Sequence, residues 1–251
     1  MKYLLTPYLA ICLACLLVAP LAQAQFTTID DFEGFSNGST IDGNNGWTGN
    51  GDQEAVTDPN DSLNKVLQFS ANGNQVLEKS FASALSNGDT ATLFYQFRID
   101  STAARDDLDQ GIGAAGGGTG FGNYRSFNGL RAYEIQYRDG GGFKTAVATS
   151  GVAIGTWYSA WMLVDQGAGA NGTFDFFLEE GRGATPGTAI ASNIGFRTDS
   201  GNEIDRFLLR NGGSTLGNAS DAFLDNIYWD DSGSNLTNPV DVPEFVWEGD
   251  I

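Results

Sequence analysis

The sequence contains no histidine, and its two cysteines, Cys12 and Cys15, both lie in an apolar segment near the amino terminus. Without histidine, and without cysteine in the rest of the chain, zinc hydrolysis, Ser-His-Asp catalysis and Cys-His catalysis are excluded. Catalysis would therefore depend on carboxylate, Tyr, Lys, Ser or Arg side chains. Because no disulfide can form after the apolar segment, the fold must be held by its core or by bound metal ions.

Basic residues are also scarce. Thirteen Lys and Arg residues stand against 31 Asp and Glu residues, which gives a formal net charge of −18. Such a chain is repelled by phosphate backbones and by anionic lipid, so we expect neither a nucleic-acid partner nor a role at a membrane surface. The excess of carboxylates serves solubility alone or, where carboxylates cluster, binds hard cations such as calcium.

Residues 1–24 have the pattern of a signal peptide. Lys2 provides the positive start, an apolar run continues to Val18, and Pro20 precedes the small residues of the Ala22-Gln23-Ala24 cleavage sequence. The run is too short for a lasting membrane span, so no membrane insertion is expected. We therefore expect a protein that is secreted, periplasmic or on the cell surface.

The remaining chain is predicted to be all-β. Glycine is abundant, with 34 residues, proline is rare, with six, and the apolar runs are short and alternating, which is typical of antiparallel strands joined by tight turns. The predicted strands cover 27–33, 65–70, 75–81, 90–99, 131–138, 143–149, 157–164, 173–179, 193–197, 203–210 and 223–230. These strands predict one domain over 25–231, a two-sheet antiparallel sandwich.

Two segments interrupt this pattern. The glycine-rich stretch 110–129 is predicted to be a long loop between strands, either a binding loop or a plain connection. From Ser232 the alternation ends, and residues 232–251 are predicted to be a linker and the start of a following segment of a longer polypeptide.

A buried acid in the last strand suggests a metal site. Alternation over Phe223–Asp230 places Asp225 on the same face as apolar residues, so this carboxylate needs a partner. First and last strands of a sandwich are often neighbours, and pairing 27–33 with 223–230 would bring Asp31 or Glu33 towards Asp225. Carboxylates that lie so near one another need a cation between them. This predicts a calcium site of Asp31, Glu33 and Asp225. Alternatively, these acids cap turns or face water.

Three segments carry a resemblance to a known superfamily: "DDFEGF…G…GW" from Asp30 to Trp47, "GTWYSAWMLVD" from Gly155 to Asp165, and "FLDNIYWD…SNLTNP" from Phe223 to Pro239. Together they resemble the concanavalin A-like, laminin G-like jelly-roll domains of secreted bacterial proteins. The resemblance implies a jelly-roll sandwich, a sugar-binding or interaction role or, in some members, glycoside hydrolase or polysaccharide lyase activity, and often a structural calcium ion.

Sugar binding requires polar side chains for hydroxyl groups and planar aromatic rings for the apolar sugar faces. Polar residues on outward strand faces, together with one loop tyrosine, form the candidate ligand-binding set: Gln96, Arg98, Tyr124, Glu134, Gln136 and Arg138. Trp47, Tyr124 and Trp229 are the candidate aromatic platforms, whereas Trp157 and Trp161 are expected in the core.

From these features we expect a noncatalytic secreted module that binds a polysaccharide or another glycan. The two glutamates on one strand face that the glucanases of this superfamily use are missing, which argues against glycosidase activity. A polysaccharide lyase that uses Tyr and Arg is the first alternative, although the histidine usual in such lyases is absent. A structural part of the cell envelope or an adhesin is the second.

Overall fold

The computed structural model describes residues 25–69, 75–100, 108–114, 124–131, 134–147, 152–167, 172–197, 203–211 and 222–240, with the backbone alone for 124–131. The described residues form sixteen β-strands and no helix, and so no helix that could cross a membrane. The strands are β1 Thr27–Asp30, β2 Ser39–Thr40, β3 Trp47–Gly49, β4 Glu54–Asp58, β5 Asp61–Gln68, β6 Gln75–Leu85, β7 Thr90–Ile99, β8 Leu108–Ala114, β9 Tyr124–Arg131, β10 Glu134–Asp139, β11 Gly142–Val147, β12 Trp157–Asp165, β13 Thr173–Glu180, β14 Ala191–Gly195, β15 Ile204–Asn211 and β16 Ala222–Asp230.

These strands form two antiparallel sheets. The nine-stranded sheet has the order β14-β13-β12-β7-β16-β5-β4-β2, and β1 pairs with β16. The seven-stranded sheet has the order β11-β10-β9-β8-β15-β6-β3. Each sheet also pairs strands that are distant in sequence, such as β7 with β16 and β8 with β15. The chain is thus an all-β, two-sheet antiparallel jelly-roll sandwich, and the predicted fold class is confirmed.

The core lies between the two sheets, and alternate residues of each strand point into it. On β12 these are Tyr158, Ala160, Met162 and Val164, while β15 contributes Phe207 and Leu209. All of these side chains are buried. On β13 the core face is the one that the alternation predicts, with Phe174 and Phe176, whereas on β12 it is the face opposite to the expected Trp157 and Trp161.

The outer face of the nine-stranded sheet is covered by protein as well. Residues of segment 232–240, which the composition assigns to a linker, pack on this face: Leu236 and Val240 contact a buried aromatic cluster that includes Phe94 and Trp161. The indole Nε1 of Trp161 donates to the carbonyl oxygen of Thr237 at 2.9 Å. Segment 232–240 therefore packs against the sandwich instead of leaving it.

A bulge in β16 changes the predicted faces of the last strand. Asn226 has a φ of 51°, and the register with β7 shifts between Asp225 and Tyr228. The main core consequently receives Ile227 and Trp229, as predicted, but not Asp225. The prediction that all three share one face is wrong, because the bulge moves later residues to the opposite face.

The glycine-rich stretch is also not a single loop. Its two ends are strands β8 and β9, which pair with each other in the seven-stranded sheet. Glycine is needed here for close packing: a Cβ on Gly113 would lie 2.6 Å from a methyl carbon of Leu208. Strands rich in glycine escape a prediction that relies on β-branched and aromatic residues.

Candidate functional site

The structure divides the six predicted ligand-binding residues between two faces. Gln96 and Arg98 lie on β7 of the nine-stranded sheet, whereas Glu134, Gln136 and Arg138 lie on β10 of the seven-stranded sheet. The sixth residue, Tyr124, begins β9 and pairs through its backbone with Gly113, and its side chain lies outside the described part of the structure. The six residues therefore do not form one platform.

The β7 members of this set are buried in polar contacts with the protein. The Nε2 of Gln96 donates to the Oγ of Ser159 at 3.1 Å and to the carbonyl oxygen of Arg182 at 2.7 Å. Arg98 is only 6% exposed and forms an ion pair with Asp100. The prediction of a solvent-facing polar surface on β7 is therefore wrong, because protein groups occupy that face.

Asp225 has a protein cation as its partner. Its Oδ2 accepts from Nη1 of Arg182 at 2.7 Å and from Nδ2 of Asn64 at 3.0 Å, and Nη2 of Arg182 reaches Oδ2 of Asp58 at 2.7 Å. The Arg182 guanidinium also stacks on Trp157, with 3.8 Å from Cζ to the ring centroid. Burial raises the pKa of Asp225 to about 6, while Arg182 and Asn64 act in the opposite direction.

The predicted neighbourhood of first and last strands is observed, but the predicted acid cluster is not. Strand β1 pairs with β16. However, Asp31 accepts the backbone N–H of Glu33 at 3.2 Å, and Glu33 accepts the backbone N–H of Lys65 at 2.8 Å, so both carboxylates bind backbone N–H groups. Within the described ranges, no group of three or more His, Cys, Asp or Glu side chains could hold a metal ion. Asp31, Glu33 and Asp225 thus do not fit a shared calcium site, and calcium binding stays a prediction.

The four tryptophans in the described residues offer no open surface for a sugar. Trp47 is fully buried and donates its Nε1 to Oδ2 of Asp30 at 2.7 Å, and Trp229 stacks on Phe81 with 4.1 Å between ring centroids. Trp157 and Trp161 are buried on the outer face of the nine-stranded sheet, not in the main core. The two predicted platforms Trp47 and Trp229 are therefore core residues.

Charged side chains gather on the outer face of the seven-stranded sheet. Asp109 on β8 is directly opposite Arg210 on β15, and Nη1 of Arg210 lies 3.1 Å from Oδ2 of Asp109. Arg138 and Arg197 are close enough to act on the same carboxylate. We call these four residues the arginine cluster: Asp109, Arg138, Arg197 and Arg210.

Asp109 is the buried centre of this cluster. It has no exposed surface, and this burial raises its pKa to about 7, although Arg210, Arg197 and Arg138 all favour the charged form. The arginines also repel one another. Loss of hydration is the main effect that lowers the pKa of Arg197, and the nearby charge of Arg138 lowers it further. Three guanidinium groups thus act electrostatically on this one buried carboxyl.

A contact between the two sheets positions Arg197. The β10–β11 turn touches the end of β14, where Gly140 N–H donates to the carbonyl of Gly195 at 3.1 Å and Gly195 N–H donates to Oδ1 of Asp139 at 3.0 Å. Arg197 follows Gly195 by two residues, and Arg138 precedes the turn. The two arginines therefore come from different sheets but are held together by this turn.

Polar and aromatic side chains continue the surface towards the edge strand β11. The Oε2 of Glu134 accepts from Oγ1 of Thr145 at 2.6 Å and from Nε2 of Gln136 at 2.8 Å, and these hydrogen bonds lower the pKa of Glu134. Phe143 is opposite Arg138 in the register, with 4.8 Å between its ring centroid and Cζ of the arginine. The surface thus offers cations, hydroxyl-binding groups and an aromatic ring side by side.

The sequence predictions found only Arg138 of the arginine cluster. Asp109 was missed because it stands just before the glycine-rich stretch read as a loop. Arg210 ends the predicted strand 203–210, and a period of two places it on the face of Arg206, opposite Phe207 and Leu209, which could have identified an outward arginine. Arg197 follows β14, and no local pattern distinguishes it.

Comparisons with known proteins reveal relatives in structure alone. No family model matches the sequence, and no curated protein matches it. A variant of the alginate lyase Aly36B in complex with alginate tetrasaccharide is 14% identical, with a TM-score of 0.50, and the match covers 84% of this chain and 98% of that one.

Two more distant structures also match. The endo-β-1,4-glucuronan lyase of the fungus Trichoderma reesei is 12% identical, with coverage of 81% and 97% and a TM-score of 0.45. Lectin II from Ulex europaeus is 10% identical, with coverage of 78% and 97% and a TM-score of 0.45. At these identities, the comparisons concern the fold alone. The likeness to Aly36B agrees with the predicted concanavalin A-like jelly roll, and the laminin G-like assignment stays a prediction.

Proposed function

We propose that this protein binds an acidic polysaccharide built from uronic acids, and that it does so at the arginine cluster. The observation that carries the proposal is that three guanidinium groups, those of Arg138, Arg197 and Arg210, act on the buried carboxyl of Asp109. The chain as a whole is strongly acidic, with a net charge of −18. Such a concentrated positive region attracts anions to one place on an otherwise repelling surface.

The chemistry of the cluster favours a carboxylate ligand. A guanidinium group binds a carboxylate through two parallel hydrogen bonds, with both charge and shape matched. Each arginine of the cluster is partly exposed, whereas Asp109 is fully buried. A ligand carboxylate can therefore reach the cations from solvent.

Two further observations support a ligand on this sheet. The outer face of the nine-stranded sheet is covered by segment 232–240, and its polar residues are occupied by Arg182 and Ser159. In addition, the structurally similar Aly36B was observed with an alginate tetrasaccharide. Alginate is a polymer of uronic acids, so a uronate ligand for this chain agrees with that likeness.

Lyase activity at the same cluster is the second candidate. Elimination from a uronate needs the sugar carboxylate to be neutralised, a base that removes the proton next to it, and departure of the glycosidic oxygen to leave an unsaturated sugar. The arginine cluster supplies the neutralising charges. Tyr124 lies in the same sheet, opposite Gly113, whereas Tyr137 of β10 packs against the core. The candidate base is therefore Tyr124.

Binding should be measured by calorimetry with alginate, with a sulfated glycan and with uncharged dextran. We expect alginate to bind, dextran not to bind, and Arg197→Gln and Arg210→Gln each to weaken alginate binding by about tenfold or more. Arg206→Gln is the matched control, because Arg206 shares β15 with Arg210 but is paired with Glu78 and Asp205. Arg206→Gln should therefore leave the affinity for alginate unchanged.

The same samples should be followed for ultraviolet absorbance of unsaturated sugars. Product formation that Tyr124→Phe abolishes would support the lyase candidate, while binding without product would support a noncatalytic module. Equal losses in the Arg197 and Arg206 variants, or preference for dextran, would contradict the proposal. Failure to bind any glycan, together with self-association, would favour the envelope or adhesin alternative.

A further inference from the structure

Phe143 is an unusual surface residue. Three large hydrophobic side chains in the described residues are exposed, namely Leu63, Phe143 and Ile154, and of these Phe143 alone is aromatic. It is 42% exposed and lies on β11, the edge strand of the seven-stranded sheet. An exposed aromatic ring on an edge strand offers a planar apolar surface that a ligand can cover.

The surroundings of Phe143 connect it directly to the arginine cluster. The guanidinium of Arg138 lies 4.8 Å from the ring centroid, and Nη2 of Arg138 donates to the carbonyl of Gly141 at 2.7 Å. The arginine is thus held from two sides, by the ring and by the β10–β11 turn. The phenyl group therefore fixes one of the cations that the proposed ligand carboxylate would meet.

The polar neighbours of the ring match the hydroxyl groups of a sugar. Gln136 pairs with Thr145 in the register, two residues along from the pair of Arg138 with Phe143, so all four residues share one face. Glu134 accepts hydrogen bonds from Gln136 and Thr145 on this same face. A sugar ring has an apolar C–H face and a rim of hydroxyl groups, which suits an aromatic ring bordered by such polar groups.

We propose that Phe143 is a stacking platform for a sugar ring next to the uronate whose carboxylate Arg138 and Arg197 hold. This inference rests on the proposed function and adds the length and direction of the ligand. The polysaccharide crosses the strands from the arginine cluster towards β11, and at least two consecutive sugar residues contact the protein. A single uronic acid fills only the cationic part.

The test compares Phe143→Ala, Phe143→Leu and Phe143→Trp by calorimetry, with alginate-derived oligosaccharides of increasing length and with monomeric uronate. Loss of a stacking ring should weaken oligosaccharide binding by about three- to tenfold in the Ala and Leu variants, while Trp retains the affinity. Leucine is the decisive substitution, because it stays apolar but is not planar. Leu63→Ala, on the other sheet and 85% exposed, is the control.

The outcomes separate this inference from the proposed function. If Arg197→Gln abolishes binding but Phe143→Leu binds every oligosaccharide as the wild type does, the cluster is the site and the platform is refuted. An equal loss for monomer and oligomer in Phe143→Leu would show that the ring only orients Arg138, which also refutes a platform. Absence of arginine-dependent binding would refute the proposed function itself.

Discussion

Replacement of Arg182 by alanine should destabilise the fold strongly and in a pH-dependent way. Arg182 connects two carboxylates, at 2.7 Å each, and Asp58 and Asp225 are buried with side chains 1% and 0% exposed. Removing one partner of a buried ion pair costs about 3–5 kcal/mol, because the other charge stays buried without compensation. Arg182 is itself 23% exposed, so we expect about 3 kcal/mol. For a domain of this size, the melting temperature should fall by about 6–12 °C.

The pH dependence follows from the pKa of Asp225. Burial already raises this pKa to about 6, and Arg182 is the strongest influence in the opposite direction, so its loss raises the pKa further. A folded state with a raised carboxyl pKa binds a proton that the unfolded chain releases. Its free energy of unfolding therefore falls as the pH rises from about 4 through the folded pKa. The cost of Arg182→Ala should be larger at pH 8 than at pH 5.

Urea unfolding at both pH values would measure this effect in Arg182→Ala, Asp225→Asn and the double variant. The double variant should recover part of the loss at pH 8, because the amide removes the buried charge that Arg182 balanced. Arg206→Ala serves as a comparison, since Glu78 and Asp205 are 18% and 26% exposed and pair with it near solvent. If Arg182→Ala lowers the free energy of unfolding by less than about 1 kcal/mol, or by the same amount at both pH values, the reasoning is refuted.

Two further predictions concern ligands. Because burial raises the pKa of Asp109 to about 7, the cluster gains a negative charge above that pH, and alginate affinity should fall about tenfold between pH 6 and pH 8. Asp109→Asn should remove this dependence in calorimetry, and a wild-type slope that persists in the variant would contradict it. Calcium at Asp225 would have to displace Arg182, so calcium should not raise the melting temperature; a rise that Asp225→Asn abolishes would support the predicted site.

The fold was predictable because antiparallel strands buried on one face carry their periodicity in the sequence. Strand β13 illustrates this, because Phe174 and Phe176 lie in the core as the alternation predicts. On β12 both faces are apolar, so the expectation that Trp157 and Trp161 face the main core was wrong. Strand β8 illustrates the limit. Its central residues are Gly111 and Gly113, and the Leu208 side chain packs against Gly113 in the space that a Cβ would fill. Where the partner strand supplies the side chain, the sequence of the glycine strand retains no pattern.

Alternation identifies two faces of a strand but not what covers the second face. Strand β7 shows the difference, since Gln96 and Arg98 do point away from the core and are nevertheless buried. Gln96 bonds to Arg182, which follows β13, and Arg98 pairs with Asp100. A polar residue that faces water and one that faces another buried polar group look the same in one sequence.

The arginine cluster was hidden for a related reason. Its members come from β8, β10, β15 and the residues after β14. Their proximity therefore depends on strand order and on the hydrogen bond from Gly140, in the β10–β11 turn, to Gly195. Each arginine alone resembles a solvated charge. What distinguishes them is that all three act on one buried carboxyl, and the register of the sheet places Arg210 directly opposite it. The group of cations proposed to bind a uronate is thus a property of the topology, which the alternation of single strands cannot contain.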